Sequence, residues 1–131
     1  MNISNYLRDR VLNHYFRGAS SASPSNLYIA LYLNNPTAAS TGTEVSGTDY
    51  ERMEVTFSAP TTVDGKQQIA NDADIEFPQA GSNWGNITHA EIRDGLEGGN
   101  PYYYGALSVP KLIETNDVLR INAGELKIQI S

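Results

Sequence analysis

Asp72, Asp74 and Glu76 place carboxylates at alternate positions of one short stretch. On a strand they would share a face, and a hard cation such as calcium binds through such oxygens. Strand residues two apart stand roughly 7 Å from one another, so one ion could not join the row without a ligand from a loop. Ala73, Ile75 and Phe77 fill the intervening positions, and that alternation describes a solvated strand face. No metal site is expected.

His14 and His89 are the only histidines, and there is no cysteine. Disulfides, thiolate zinc sites and Cys–His dyads are therefore excluded. Abundant serine leaves a Ser–His–Asp triad open by composition, but no Gly-x-Ser-x-Gly elbow precedes a helix. Gly95, Gly98 and Gly99 match neither Gly-x-Gly-x-x-Gly nor a P-loop, and no helix follows them. A hairpin turn accounts for them, so no nucleotide or other cofactor is expected. A glycan-cleaving enzyme would need two facing carboxylates, and Asp72, Asp74 and Glu91 are the acids it would draw on.

Tyr102, Tyr103 and Tyr104, with Tyr28, Tyr32 and Trp84, supply an aromatic set. Aromatic side chains with a polar tip suit protein interfaces and sugar stacking. The alternative is that the outer two of Tyr102–Tyr104 fill a core and the middle one faces out. Both readings stay open at this level.

These residues need elements to position them. Leu27–Leu33 is the central stretch: Leu27, Ile29, Leu31 and Leu33 alternate with Tyr28, Ala30 and Tyr32, with no charge on either side. Such a strand is covered on both faces. Before it, residues 4–17 read as an amphipathic helix with the stripe Ile3, Leu7, Val11 and Tyr15, joined by Leu12. Ser4 is the expected N-cap and Gly18 the C′ glycine. The stretch from Ala19 to Ser25 reads as a linker. After Asn34-Asn35-Pro36, a Ser/Thr/Gly-rich loop through Gly47 is expected to be exposed and mobile.

Tyr50–Phe57 alternates Met53, Val55 and Phe57 inward with Arg52, Glu54 and Thr56 outward. Asp64-Gly65 signals a tight turn before a weak strand at Lys66–Ala70. Ile87–Asp94 reads as a strand with Ala90 and Ile92 buried and His89, Glu91 and Arg93 in water. Tyr102–Val109 returns, with Pro110 ending it or marking an edge. Val118–Ala123 and Glu125–Ile130 close the chain, with Leu126, Ile128 and Ile130 inward. The expected fold is mainly β: an antiparallel β-sandwich of about seven or eight strands with one N-terminal amphipathic helix. The expected organisation is one domain over residues 1–131, with the helix in 1–18 and the sandwich in 26–131.

The chain is 131 residues long, 40% hydrophobic and only 18% charged, with a net charge of −6. An acidic chain of this kind is not expected to bind nucleic acid, which needs a basic face. Residues 1–17 hold Arg8, Arg10 and Arg17 against Asp9, a balance of +2, so the remainder carries −8. No apolar run is long enough to span a membrane. Charges at Arg8, Asp9 and Arg10 stand where a signal peptide needs its apolar core, so synthesis in a cytoplasm is expected.

A set of segments resembles a family of short phage proteins labelled tail fibre or minor tail proteins. It runs Asn26-Leu-Tyr-Ile-Ala-Leu-Tyr32, Asn35-Pro-Thr37, Gly42-Thr-Glu-Val-Ser-Gly47, Tyr50-Glu-Arg52 and Val55-Thr-Phe57. Phe77-Pro78, Trp84-Gly-Asn-Ile-Thr-His89, Tyr104-Gly-Ala-Leu107 and Asp117-Val-Leu-Arg-Ile-Asn-Ala-Gly124 come after them in order. The resemblance implies a structural protein of the virion, no enzyme activity and no catalytic residues. The implied partners are other virion proteins and copies of the chain itself, in a homo-oligomer. Leu7, Val11 and Tyr15 on the helix, with Tyr103 and Trp84, are the expected partner contacts. Two other roles stay open: a capsid decoration protein, and a module that binds host surface glycan through Trp84 and exposed tyrosines.

Overall fold

The structure is a computed structural model and describes residues 1–130. It is mainly β, with antiparallel sheets and one N-terminal helix. The strands are β1 (Asn2–Ile3), β2 (Leu27–Tyr32), β3 (Met53–Val55), β4 (Thr61–Val63), β5 (Lys66–Ala70), β6 (Ile75–Glu76), β7 (Gly85–Arg93), β8 (Pro101–Ile113), β9 (Arg120–Ile121) and β10 (Lys127–Ile130). They form a five-stranded sheet in the order β1-β8-β7-β2-β3, a three-stranded sheet β10-β5-β4 and a two-stranded sheet β6-β9. The count exceeds seven or eight because β1, β6 and β9 are two-residue strands made by tertiary pairing, which leaves no periodic signal.

One apolar cluster draws on all three sheets. Ile29, Leu31, Ala90 and Ile92 enter it from β2 and β7, Ile75 and Ile121 from the two-stranded sheet, and Ile128 from β10. Register explains the match: Ile29 stands opposite Ile92 and Leu31 opposite Ala90, so one set of side chains leaves the same face. β2 is covered on both faces, as its composition requires, since Ile29 through Tyr32 are all buried. The middle strand of the sheet, however, is β7.

Local chemistry sets the turns. Asp64 and Gly65 have φ of 51° and 76° between β4 and β5, the double positive φ of a two-residue hairpin loop. Across from β7, β8 runs through Pro110 instead of ending there. Ile87 pairs with Lys111 and His89 with Ala106, so Leu107–Pro110 bulge out opposite Thr88 and the missing proline N–H costs the ladder nothing.

Several outward and inward assignments are corrected. Ile130 is exposed although Leu126 and Ile128 are buried, because the sheet ends at its position opposite Gln67. The loop from Asn34 to Gly47 is held in place. Leu33 N–H donates to Thr43 O, Val45 N–H to Leu31 O and Asn5 N–H to Ala38 O, and Pro36 and Val45 are buried. The regular helix is also shorter than expected. α1 covers Asn5–Val11, and Leu12–Phe16 continue as a π-helical turn. Ser4 caps it as expected, accepting from Leu7 N–H, and Gly18 has the positive φ of a C′ residue.

Candidate functional site

β7 presents Glu91 and Arg93 on the face opposite Ala90 and Ile92. Alternation alone puts both in water, but Glu91 is 0% exposed. Its carboxylate accepts from Tyr32 Oη at 2.8 Å, Ser40 Oγ at 2.8 Å and Arg93 Nη1 at 2.6 Å. The donors come from β2, the 34–47 loop and β7 itself. Arg93 extends outward and donates to the carbonyls of Gly98 and Gly99 in the hairpin turn before β8.

Arg52 does the same work from the position just before β3. Its Nε and Nη2 grip Glu44 at 2.9 and 2.8 Å, the paired geometry that a planar guanidinium offers a carboxylate. Its Nη1 donates to Gly95 O and Gly98 O. Gly98 O is therefore shared by both arginines. Tyr50 Oη donates to Glu44 and accepts from Leu31 N–H, which fixes the loop to β2. No buried side-chain nitrogen or oxygen among the described residues lacks a partner, the condition under which buried charge is tolerated.

The groups respond as this packing demands. Burial pushes the Tyr32 hydroxyl up to about 12, helped by its bond to Glu91. Burial also drives Tyr50 upward, with Glu44 adding to it. For Glu44 burial pushes up, but Arg52 and the Tyr50 hydroxyl more than offset it and hold the carboxyl below its ordinary value. This network organises loops. Each acid is committed to its own guanidinium, and no second carboxylate faces Glu91 in its hydrogen bonding.

The residues expected to bind partners are distributed unevenly. Trp84 is 3% exposed and Tyr103 7% exposed, so both are largely buried in this chain. Trp84 donates from Nε1 to Thr48 O, and its ring lies edge-on to Tyr50. Gly47 approaches the indole so closely that any Cβ there would collide with it. In the tyrosine run the middle member points inward, while Tyr102 and Tyr104 are half-buried, the reverse of the expected core pattern. The five-stranded register sets this, with Tyr103 opposite Ile92.

Leu7 and Val11 are half-buried on α1. Tyr15 is 75% and Phe16 78% exposed. Leu7, Val11 and Tyr15 still border one cleft, with Pro24 and Tyr102 on its other side. The helix is tied to β8 through the Tyr6–Tyr102 ring pair at 5.6 Å, with Arg10 over Tyr6 at 4.9 Å. Beside it opens a groove of about 590 Å³, lined by α1, β1 and β10.

The acidic row has its own partners. Asp74 pairs with Arg120 and accepts from Ala123 N–H, and Asp72 accepts from the Thr56 hydroxyl. Among the described residues no cluster of His, Cys, Asp or Glu could hold a metal ion.

Sequence reasoning misses the network of Glu44, Arg52, Glu91 and Arg93. One signal is present: Glu91 and Arg93 sit two apart on a strand flanked by two others, opposite tyrosine-bearing Leu27–Leu33.

Comparison with protein families places the chain among phage fibre proteins. It belongs to the family described as Podophage GP4 fiber I protein gp80, whose model matches residues 2–129. No curated protein matches it.

Proposed function

We propose that the chain is a structural component of the phage tail, built into a fibre or its attachment and acting by packing against other virion proteins and copies of itself. The observation that carries this is the fibre-family match across residues 2–129. The docking element in this reading is the N-terminal helix. Leu7 packs it against the core, and Tyr15 projects with Leu12 and Phe16, all three largely exposed. A group of large apolar side chains on a surface suits a protein interface.

The role is non-enzymatic: the buried acids are occupied in holding loops. The site of action is the virion, after synthesis in the bacterial host.

The test is incorporation. Tyr15→Ser with Phe16→Ser removes exposed rings and leaves the fold intact by circular dichroism. Purified particles from a phage carrying it are expected to lack the protein. Normal incorporation would remove the helix from the docking role. Band intensity in wild-type particles checks the location, since a tail part is far scarcer than a capsid decoration protein.

A further inference from the structure

The three-stranded sheet ends on β10, which pairs only with β5, and the five-stranded sheet ends on β1, which pairs only with β8. The groove of about 590 Å³ lies between these two end strands. Ile69, Ile92 and Tyr103 line it from the core, and Leu7 and Val11 from the helix. The Met1 ammonium, just ahead of β1, reaches Lys127 O at 3.5 Å. Among the described residues this is the one hydrogen bond joining that end of the chain to β10. An end strand turns half its N–H and C=O groups outward, ready to pair.

We propose that the groove takes an extended, apolar, carboxylate-bearing segment of another protein, added as a strand alongside β10. Apolar side chains at alternate positions would enter the groove, and main-chain hydrogen bonds to β10 would supply affinity. Charge defines the acid. The charged side chain lining the groove is Arg8, and no carboxylate side chain lines it. The same charge argues against β10 of a second copy as the occupant. Its sequence, Lys127 to Ile130, holds a lysine and no acid, so pairing would bring like charges together. The inference deepens the assembly reading above by naming what the body of the protein receives.

The test uses the full chain and two capped hexapeptides, Glu-Val-Thr-Val-Thr-Val and its Lys-Val-Thr-Val-Thr-Val counterpart. The glutamate peptide is expected to bind and to slow amide exchange across Lys127–Ile130. Arg8→Glu is expected to weaken it about tenfold and to favour the lysine peptide. Ile130→Asp, at a residue 64% exposed and so tolerant of change, is expected to weaken both. Failure of the glutamate peptide to bind at millimolar concentration, or equal binding of the two, would overturn the proposal. So would a dimer of the chain that the peptide dissociates, which would give the groove to a second copy. A failed titration alongside normal incorporation into particles would sink the groove alone and leave the virion reading standing.

Discussion

Ile29, Leu31, Ala90 and Ile92 leave β2 and β7 in one direction; Tyr32, Glu91 and Arg93 leave the same strands in the other. Both sets are buried or nearly so. The first is held by apolar contact, which tolerates small shifts because it has no direction. The second is held by hydrogen bonds to ionised groups, which fail if a partner moves. The difference shows what each face does. The apolar face joins three sheets into one core. The polar face fixes the 34–47 loop and the Gly95–Gly99 turn at defined places over the sheet.

The sharpest way to break this contrast is Glu91→Ala. It leaves Arg93 without its buried carboxylate and should cost about 3–5 kcal/mol, read from urea unfolding. Glu91→Leu with Arg93→Met should recover only part of that loss: it removes the buried unpaired charge but leaves the Tyr32 and Ser40 hydroxyls and the Gly98 and Gly99 carbonyls without these partners. A loss under about 1 kcal/mol for Glu91→Ala would mean that water already serves this face.

Leu31→Ala tests the other face. It should cost about 2–5 kcal/mol through lost burial and a residual cavity. Unlike the Glu91 variant, it should have no charged partner able to rescue it.

Gly99→Ala comes next. Gly99 has φ of +75°, and a Cβ there would meet Asp94 Oδ1 at 2.6 Å and Gly95 N at 2.8 Å. The left-handed backbone alone should cost about 1–2 kcal/mol. Amide exchange should rise in the 94–100 turn while the apolar face stays protected; uniform loosening would show that the two faces are not separable.

The smallest effect is expected from pH. Glu44 is held below its ordinary value of 4.5, so it stabilises the fold fully above that value, and the contribution is lost as pH falls through its lower folded value. Glu44→Gln should flatten the acid limb of a stability–pH curve. An unchanged slope would place the acid sensitivity elsewhere.

The same contrast explains what residues alone can tell. Leu27–Leu33, the 87–94 strand, the Asp64-Gly65 turn and the Ser4 cap are local: period, turn residue and cap lie within a few positions. Period-two alternation puts Glu91 and Arg93 in water because it separates two faces without saying what covers the second. The cover comes from Ser40, some fifty positions earlier, and its Ser/Thr/Gly composition is also that of a free loop. Alternation misplaces Arg52 for the same reason, its partners being Glu44 and two glycine carbonyls. The π turn carries no periodic mark, so helical spacing reads residues 4–17 as one regular helix. The fibre family, by contrast, is legible in the order of short segments along nearly the whole chain.

One oxygen, that of Gly98, takes hydrogen bonds from Arg52 at 2.8 Å and Arg93 at 2.9 Å. Two spans of chain thus hang from one peg. A pull on the turn would reach both guanidiniums at once, and through them Glu44 and Ser40. Force applied at the turn would be shared between β7 and the segment leading into β3.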